Sequence, residues 1–286
     1  MTTARPLRSV LYMPGSNARA LEKSRTLPAD ALILDLEDAV APDAKATARA
    51  QVCAAASSGA YGDRVVAIRV NGLDTQWHAD DITAAAAAKP AAIVVPKVGS
   101  AQEVLQIENA LMAAGADDSV AIWAMIETPG AVLNVADIAC ATPRLTTFVM
   151  GTNDLLSELH AVSSPQRPAL AHSLAHCVLV ARAYGKTILD GVYNDVTDDA
   201  GFLAECREGR TLGFDGKTVI HPGQIGPCNA AFAPSEQDID HARAVIAAFD
   251  ESLRAGKGVA TINGRLIENL HVADARRLIA FADAIS

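Results

Sequence analysis

The stretch ILDLEDAVAP, residues 33–42, places three carboxylates at the end of an apolar run. The apolar side chains are typical of a buried strand, whereas Asp35, Glu37 and Asp38 are costly to bury without partners. The chain then turns at Pro42, which has no backbone N–H for a strand ladder. A core strand that ends in acids is expected where the ends of several strands meet at a functional site.

Seven further β-rich runs alternate with Ala- and Leu-rich helical patterns. Together with residues 31–37, the runs occupy residues 8–14, 65–70, 92–98, 121–127, 145–151, 187–192 and 217–222. Their near-continuous apolar character is typical of parallel strands covered on both faces. Eight strands, each followed by a helix or helical loop, predict an α/β fold, a closed (β/α)8 TIM barrel. The alternative is an open doubly wound sheet, which usually has a glycine-rich first turn; MPGSNAR (13–19) is not GxGxxG.

The pattern changes after His221-Pro222. A long helix follows, with an apolar stripe at the spacing of one helical face. The stripe consists of Ile239, Ala242, Val245, Ile246 and Phe249. A short β-like turn and a last helix complete the chain. We therefore expect a barrel catalytic domain over residues 1–233 and a C-terminal helical lid or appendage over residues 234–286.

Charge and cysteine usage exclude several classes of function. The net charge is −9 and there is no basic run, so nucleic acid and anionic membranes are poor partners. The five cysteines are widely spaced without a CxxC pair, which indicates reduced thiols in a cytoplasmic protein. No secretory signal is apparent at the N-terminus, and no apolar run approaches the roughly 18 residues of a membrane span.

Polar residues at the ends of the eight runs are expected to form one ring, because reactive residues of such barrels lie at the carboxyl ends of the strands. The ring consists of Ser16, Glu37, Asp38, Arg69, Lys97, Glu127, Asp154, Asp190 and His221. Its four carboxylates at positions 37, 38, 127 and 154 would repel one another unless a cation lay among them. Oxygen ligands with room for water favour Mg²⁺, and no His or Cys pattern favours zinc.

Each member of this ring also has a simpler interpretation. Glu127 could be a solvated strand end, and Asp154 could cap a helix, a position that Asp favours. Arg69 could grip a substrate carboxylate through two parallel hydrogen bonds, or it could pair structurally with Asp35 or Glu37. For Lys97 the alternatives are an anion clamp or a rim salt bridge, and for His221 an acid–base group or a hydrogen-bonded structural histidine.

The segment MPGSNARALEK, residues 13–23, has the features of a phosphate site. Gly15 and Ser16 precede a helix on which Arg19 and Lys23, four residues apart, share one face. Helix N-termini with adjacent cations bind phosphate groups. The alternative is a solvated basic face.

These residues resemble the citrate lyase beta-subunit-like branch of the HpcH/HpaI aldolase superfamily, which includes malyl-CoA and citramalyl-CoA lyases. The matching segments cover nearly the whole chain in order. They are RSVLYMPGSN, LDLEDAVAPDAKATAR, IRVNGLDTQWHADD, VVPKV, MIETPGAVLN, GTNDLLSEL, ILDGVYNDVTDDAG, LGFDGKTVIHPGQI, NAAFAPS and INGRLIENLHVADARR.

The resemblance implies a TIM barrel that binds Mg²⁺, or Mn²⁺ in its place, and a CoA thioester substrate. It implies that Glu127 and Asp154 ligate the metal directly. Glu37 and Asp38 would hold metal-bound waters, and Arg69 would bind the oxygens of the oxo acid. A homo-oligomer, a trimer or hexamer, is also implied.

The resemblance further implies a CoA site and an acid–base group. Pro14 and Gly15, with Arg19 and Lys23, would lie by the CoA phosphates. Stand-alone lyases of this branch supply an acid–base carboxylate, usually Asp, from the tail. The matching segment here is GRLIEN, so the acid is Glu268, one methylene longer.

The resulting hypothesis is a Mg²⁺-dependent, reversible carbon–carbon lyase. It would cleave a 3-hydroxy-3-carboxyacyl-CoA, such as malyl-CoA or citramalyl-CoA, into an acyl-CoA and a 2-oxo acid. The alternatives are a citryl-acyl-carrier-protein lyase subunit of a citrate lyase complex, a thioesterase on the same scaffold, and a non-catalytic CoA-binding barrel.

Overall fold

Eight parallel strands close into a barrel in the computed structural model, which describes residues 5–256 and 258–285. Each strand pairs with its neighbours in the sequence, and the first pairs with the eighth from Ser9 beside Lys217 to Leu11 beside Val219. The predicted TIM barrel is therefore confirmed. Its strands are β1 Ser9–Pro14, β2 Ala31–Asp35, β3 Val65–Arg69, β4 Ala92–Val95, β5 Ala121–Ile126, β6 Leu145–Met150, β7 Thr187–Asp190 and β8 Gly216–Val219.

Helices follow the strands. In order they are α1 Ala18–Ser24, α2 Lys45–Ala56, α3 His78–Ala88, α4 Ala101–Ala113, α5 Pro129–Leu133, α6 Val135–Cys140, α7 Thr152–Glu158, α8 Ala171–Ala183, α9 Asp199–Leu212 and α10 Ile225–Phe232. Short 3₁₀ turns at Pro42–Ala44 and Pro222–Gln224 precede α2 and α10.

Alternate strand residues face opposite sides of the barrel wall, as the period of two requires. One set packs together in the lumen and includes Val10, Ile33, Ala67, Trp123 and Val149. The other set packs against the helices in a larger apolar cluster. Both faces of the sheet are therefore buried, which explains why the strands are almost continuously apolar.

Residues 5–6, 233–256 and 258–285 form a compact unit distinct from Leu7–Phe232. This unit contains helix α11 Glu236–Arg254, strands β9 Ala260–Ile262 and β10 Arg265–Ile267, and helix α12 Asn269–Ile285. Its apolar cluster includes three residues of the predicted stripe, Ala242, Val245 and Phe249. The role of residues 234–286 as a lid stays a prediction.

The hairpin of this second unit turns at Asn263-Gly264. Both residues have positive φ, 47° and 77°, which is the conformation that a two-residue turn between antiparallel strands requires. Asn and Gly are the residues that adopt it most readily. The turn therefore sets the register of β9 on β10 immediately before Glu268.

The five cysteines are all free, as predicted. Within the described part of the chain, no helix combines the length and the apolar character needed to cross a bilayer.

Candidate active site

Side chains at the carboxyl ends of the strands line a cavity of about 330 Å³. Its wall includes Tyr12, Asp35, Asp38, Arg69, Met125, Glu127, Gly151, Asp154 and Thr218. Four of the predicted site residues, at positions 38, 69, 127 and 154, therefore meet at one place although they are far apart in the sequence. Glu37 reaches the same group through Arg69, whose Nη1 lies 2.7 Å from Glu37 Oε2.

Arg69 is held by Asp35 through a bidentate ion pair. Nε donates to Oδ1 and Nη2 donates to Oδ2, each at 2.7 Å, and both side chains are buried. The guanidinium also lies 4.9 Å from the centre of the Tyr12 ring. The structural pair with Asp35 thus exists, but it uses only two of the three guanidinium nitrogens. Nη1 remains directed toward the acids of the site.

Asp35 also shapes the turn that carries the two acids that follow it. Its carboxylate accepts the backbone N–H of Glu37 at 2.9 Å and that of Ala39 at 3.1 Å. The Asp38 side chain is 76% exposed and lies 3.6 Å from Arg69 Nη1. Burial raises the pKa of Glu37 to about 7, against the opposing charge of Arg69. Glu37 Oε2 is buried, and its polar contact is the ion pair with Arg69 Nη1 at 2.7 Å.

Glu127 directly follows β5 and is 2% exposed, so it is not a solvated strand end. Its Oε1 accepts the backbone N–H of Lys97 at 2.6 Å. Lys97 has a positive φ of 53°, an uncommon conformation for a residue with a side chain, and here it presents this N–H to the carboxylate. Burial raises the pKa of Glu127 to about 7, and the Asp154 carboxylate adds to the rise.

Asp154 lies in the first turn of α7, and its side chain is 41% exposed. The N-cap of α7 is Gly151, so the interpretation of Asp154 as a helix cap is wrong. Its Oδ1 lies 3.8 Å from Lys97 Nζ, so the predicted rim salt bridge of Lys97 is present.

The donor set fits Mg²⁺. The cavity offers two carboxylates, Glu127 directly after β5 and Asp154 in the first turn of α7. Among the described residues, no cluster of three or more His, Cys, Asp or Glu side chains forms a complete all-protein metal site. Mg²⁺ commonly binds through one or two carboxylates and keeps several waters. A divalent cation would also favour the ionised form of Glu127 and Glu37, whose pKa values are raised by burial and by neighbouring carboxylates.

Gly151 makes room for Glu127. A Cβ at position 151 would lie 2.2 Å from Glu127 Oε2 and 2.3 Å from its Cβ. We expect Gly151→Ala to displace the carboxylate, to lower the free energy of unfolding by about 1–3 kcal/mol and to weaken Mg²⁺ binding roughly 10-fold. Calorimetric titration with Mg²⁺ and chemical denaturation measure the two effects.

Gly226→Ala is the matched control, since a Cβ at this position of α10 meets open space. A helical Gly→Ala change there should be neutral or stabilising by up to about 1 kcal/mol. Unchanged Mg²⁺ affinity in Gly151→Ala would contradict the placement of the metal at Glu127.

Four features of the site were not predicted from the sequence. Tyr12 lies under Arg69, and the alternation in VLYMP could have placed it in the lumen. The N–H of Lys97 and the close approach at Gly151 depend on backbone geometry, which has no residue-type signal beyond the glycine itself. Asn153 and Asn194 exchange amide hydrogen bonds of 3.2 and 2.8 Å at the cavity wall.

Two residues of the predicted ring do not belong to it. Asp190 faces away from the lumen and pairs with Arg167 Nη1 at 2.7 Å and with Lys217 Nζ at 3.3 Å. Its place in the ring was wrong because β7 ends with an outward-facing residue. His221 is exposed, and its ring accepts the N–H of Gly223, so it is a structural cap of a 3₁₀ turn.

The predicted CoA-binding residues lie where β1 ends and α1 begins. Arg19 and Lys23 are exposed. Gly15 is buried, and its N–H donates to Asp35 O at 2.8 Å. A Cβ at Gly15 would lie 2.4 Å from that oxygen, so the glycine is needed for packing. Contact of these residues and of Pro14 with CoA stays a prediction.

Glu268 lies in the second compact unit, between β10 and α12. Its side chain is exposed, and its N–H donates to His271 Nδ1 at 3.0 Å. Its role as acid–base group stays a prediction.

Comparison with known proteins identifies the family of the chain. Residues 8–222 match the family model described as HpcH/HpaI aldolase/citrate lyase. The chain belongs to this family. The predicted membership, and with it the prediction of an enzyme of the citrate lyase beta-subunit and malyl-CoA lyase type, is confirmed.

Similar proteins match over almost the entire chain. A (3S)-malyl-CoA thioesterase of Cereibacter sphaeroides is 50% identical over 283 residues, which are 99% of this chain and 97% of that protein. An L-malyl-CoA/beta-methylmalyl-CoA lyase of the same species is 33% identical and covers 99% of this chain and 96% of its own.

Among solved structures, CitE of Mycobacterium tuberculosis in complex with magnesium, acetoacetate and coenzyme A is 27% identical in sequence to this chain. It has a TM-score of 0.80 and covers 99% of this chain and 100% of its own. At the level of the family, the prediction of Mg²⁺ and a CoA thioester is therefore confirmed.

Proposed function

We propose that the protein is a Mg²⁺-dependent hydrolase of (3S)-malyl-CoA or a closely related 3-hydroxy-3-carboxyacyl-CoA. The observation that carries this proposal is the 50% identity to a (3S)-malyl-CoA thioesterase across 99% of the chain, through both compact units. The products would be CoA and malate.

The cavity suits the acid end of such a substrate. Glu127 and Asp154 would hold Mg²⁺, which supplies a Lewis acid for the substrate carboxylate and its neighbouring hydroxyl. Arg69 is already oriented by Asp35, so its Nη1 can stabilise negative charge without reorganisation. Glu37 and Asp38 would accept hydrogen bonds from metal-bound waters.

The second candidate is reversible carbon–carbon cleavage. It is favoured by the lyase that is 33% identical over nearly the same length and by a site with two carboxylates and an arginine. Cleavage of malyl-CoA would give acetyl-CoA and glyoxylate. In that reaction the acid–base carboxylate, for which Glu268 is the candidate, returns a proton to the acyl α-carbon.

One assay separates the two candidates. Purified protein is incubated with (3S)-malyl-CoA and Mg²⁺ in H₂¹⁸O, and the products are analysed by mass spectrometry. We expect free CoA and malate with one ¹⁸O in the new carboxylate, and no product after removal of divalent cations by EDTA. Acetyl-CoA and glyoxylate, formed without free CoA or malate, would instead assign the lyase activity.

Substrates beyond malyl-CoA need a panel. Citramalyl-CoA and citryl-CoA extend the assay to related acids. For each, release of free CoA with the intact hydroxy acid indicates hydrolysis, and release of acetyl-CoA with a 2-oxo acid indicates cleavage. Absence of turnover on the whole panel would reject both candidates and favour a carrier-protein substrate or a non-catalytic CoA-binding barrel. The predicted homo-oligomer and the cytoplasmic location remain proposals that this assay does not address.

A further inference from the structure

We propose that Lys45 is a positioning residue of the cation site, which it serves by holding the turn that carries Glu37 and Asp38. This inference rests on the proposed Mg²⁺ site. Lys45 is the first residue of α2 and is only 6% exposed. It lies three residues beyond the acidic stretch ILDLEDAVAP, and it is neither a proposed metal ligand nor a proposed substrate-binding residue.

The Lys45 ammonium makes three short hydrogen bonds. It donates to Leu36 O at 2.8 Å, to Glu37 O at 2.7 Å and to Asn71 Oδ1 at 2.7 Å. It also lies 5.1 Å from the centre of the Trp77 ring. An ammonium has three donors, and here each has an acceptor, so the group satisfies its hydrogen-bonding capacity without water.

The acidic turn is therefore held from both sides. On the lumen side, the Asp35 carboxylate accepts the N–H groups of Glu37 and Ala39. On the other side, Lys45 binds the carbonyls of Leu36 and Glu37. The backbone on either side of the Glu37 side chain is thereby fixed, and the turn cannot rotate without breaking buried hydrogen bonds.

The support extends to the next strand. Asn71 Nδ2 donates to Leu36 O at 3.0 Å and to Asp81 Oδ2 at 2.6 Å, and Asp81 Oδ1 pairs with Arg49 Nε at 2.6 Å. Lys45 thus connects the turn to a buried polar network that includes helices α2 and α3. Such outer partners orient ligands, and their loss typically costs 10–100-fold in metal affinity.

Lys45→Met tests the proposal through the sign of its effect on Mg²⁺ binding. Methionine keeps the length of the side chain but removes the ammonium, so Leu36 O retains only Asn71 Nδ2 as donor and Glu37 O retains only the N–H of Val40. We expect the Kd for Mg²⁺ to rise about 10-fold by isothermal titration calorimetry. Loss of a positive charge near the carboxylates would by itself tighten Mg²⁺ binding, so the two causes predict opposite shifts.

Lys186→Met is the matched control. Lys186 Nζ also donates to a backbone carbonyl, that of Leu145, but at the amino-terminal end of the barrel. Its loss should lower stability and leave Mg²⁺ affinity unchanged. Tighter or unchanged Mg²⁺ binding in Lys45→Met would overturn the proposal.

Lys45→Arg covers the case in which Lys45→Met does not fold. It keeps the charge, but a planar guanidinium cannot direct three donors to these three acceptors. We expect weaker Mg²⁺ binding here too, and wild-type affinity would overturn the proposal. Wild-type protein that binds no Mg²⁺ would reject the metal site of the proposed function itself, which is a different outcome.

Discussion

Replacing Glu127 with glutamine is expected to remove Mg²⁺ binding and to lower turnover of the proposed substrate, malyl-CoA, by at least about 100-fold. Loss of a residue that only orients a metal ligand costs up to about 100-fold, so loss of the ligand itself should cost at least as much. The glutamine keeps the volume of the side chain and the acceptor for the Lys97 N–H, which lies 2.6 Å from Oε1. It removes the negative charge that the cation requires. Calorimetry with Mg²⁺ and steady-state kinetics measure the two effects.

Glu108→Gln provides the control for this change. Glu108 lies on α4 and accepts a hydrogen bond from Thr142 Oγ1 at 2.6 Å, outside the residues that line the cavity. It should bind Mg²⁺ and turn over substrate as the wild type does. If Glu127→Gln retained Mg²⁺-dependent turnover, Glu127 would not be a ligand.

Arg69→Met should affect stability and activity together. It removes one partner of a buried bidentate pair and leaves Asp35 charged in the barrel, which typically costs about 3–5 kcal/mol. It also removes the cation that faces Glu37 and the cavity. We expect a large loss of turnover and a lower midpoint of unfolding in guanidinium chloride.

Two further variants separate these effects. Adding Asp35→Asn to Arg69→Met removes the uncompensated charge and should restore part of the stability but none of the activity. Arg8→Met breaks a similar Arg–Asp pair with Asp30, whose Nη2–Oδ1 distance is 2.7 Å, at the amino-terminal end of the barrel. It should lower stability and leave turnover unchanged. Full activity in Arg69→Met would contradict the role of Arg69 at the site.

The strands were predictable because each is an apolar run with a helix after it, and a strand covered on both faces needs that composition. Their ends were less predictable. β2 ends at Asp35 and β7 at Asp190, both aspartates after an aliphatic run, yet Asp35 faces the lumen and Asp190 faces the helices. A shift of one residue moves a side chain to the opposite face, and composition does not set that phase.

The acids of the site were predictable as a group, because several charged side chains at the same end of apolar strands are costly to bury unless they share a function. Their individual environments were not. Glu127 is buried, Glu37 is half-buried and Asp38 is exposed, and these differences depend on how the turns after β2 and β5 fold back. The turn after β2 is set by Lys45 and Asp35, and the position of Glu127 by the N–H of Lys97.

The sequence by itself determined the closed barrel and the end of it that carries the chemistry. It did so because the period of apolar residues and the order of strands and helices are local properties of the chain. Tertiary structure alone decided that Arg69 Nη1 is directed toward the acids of the site while its other two nitrogens bind Asp35. It also decided that Asp190 is structural and that Lys45 supports the acidic turn. Those outcomes depend on contacts between residues distant in sequence, whose geometry no local pattern encodes.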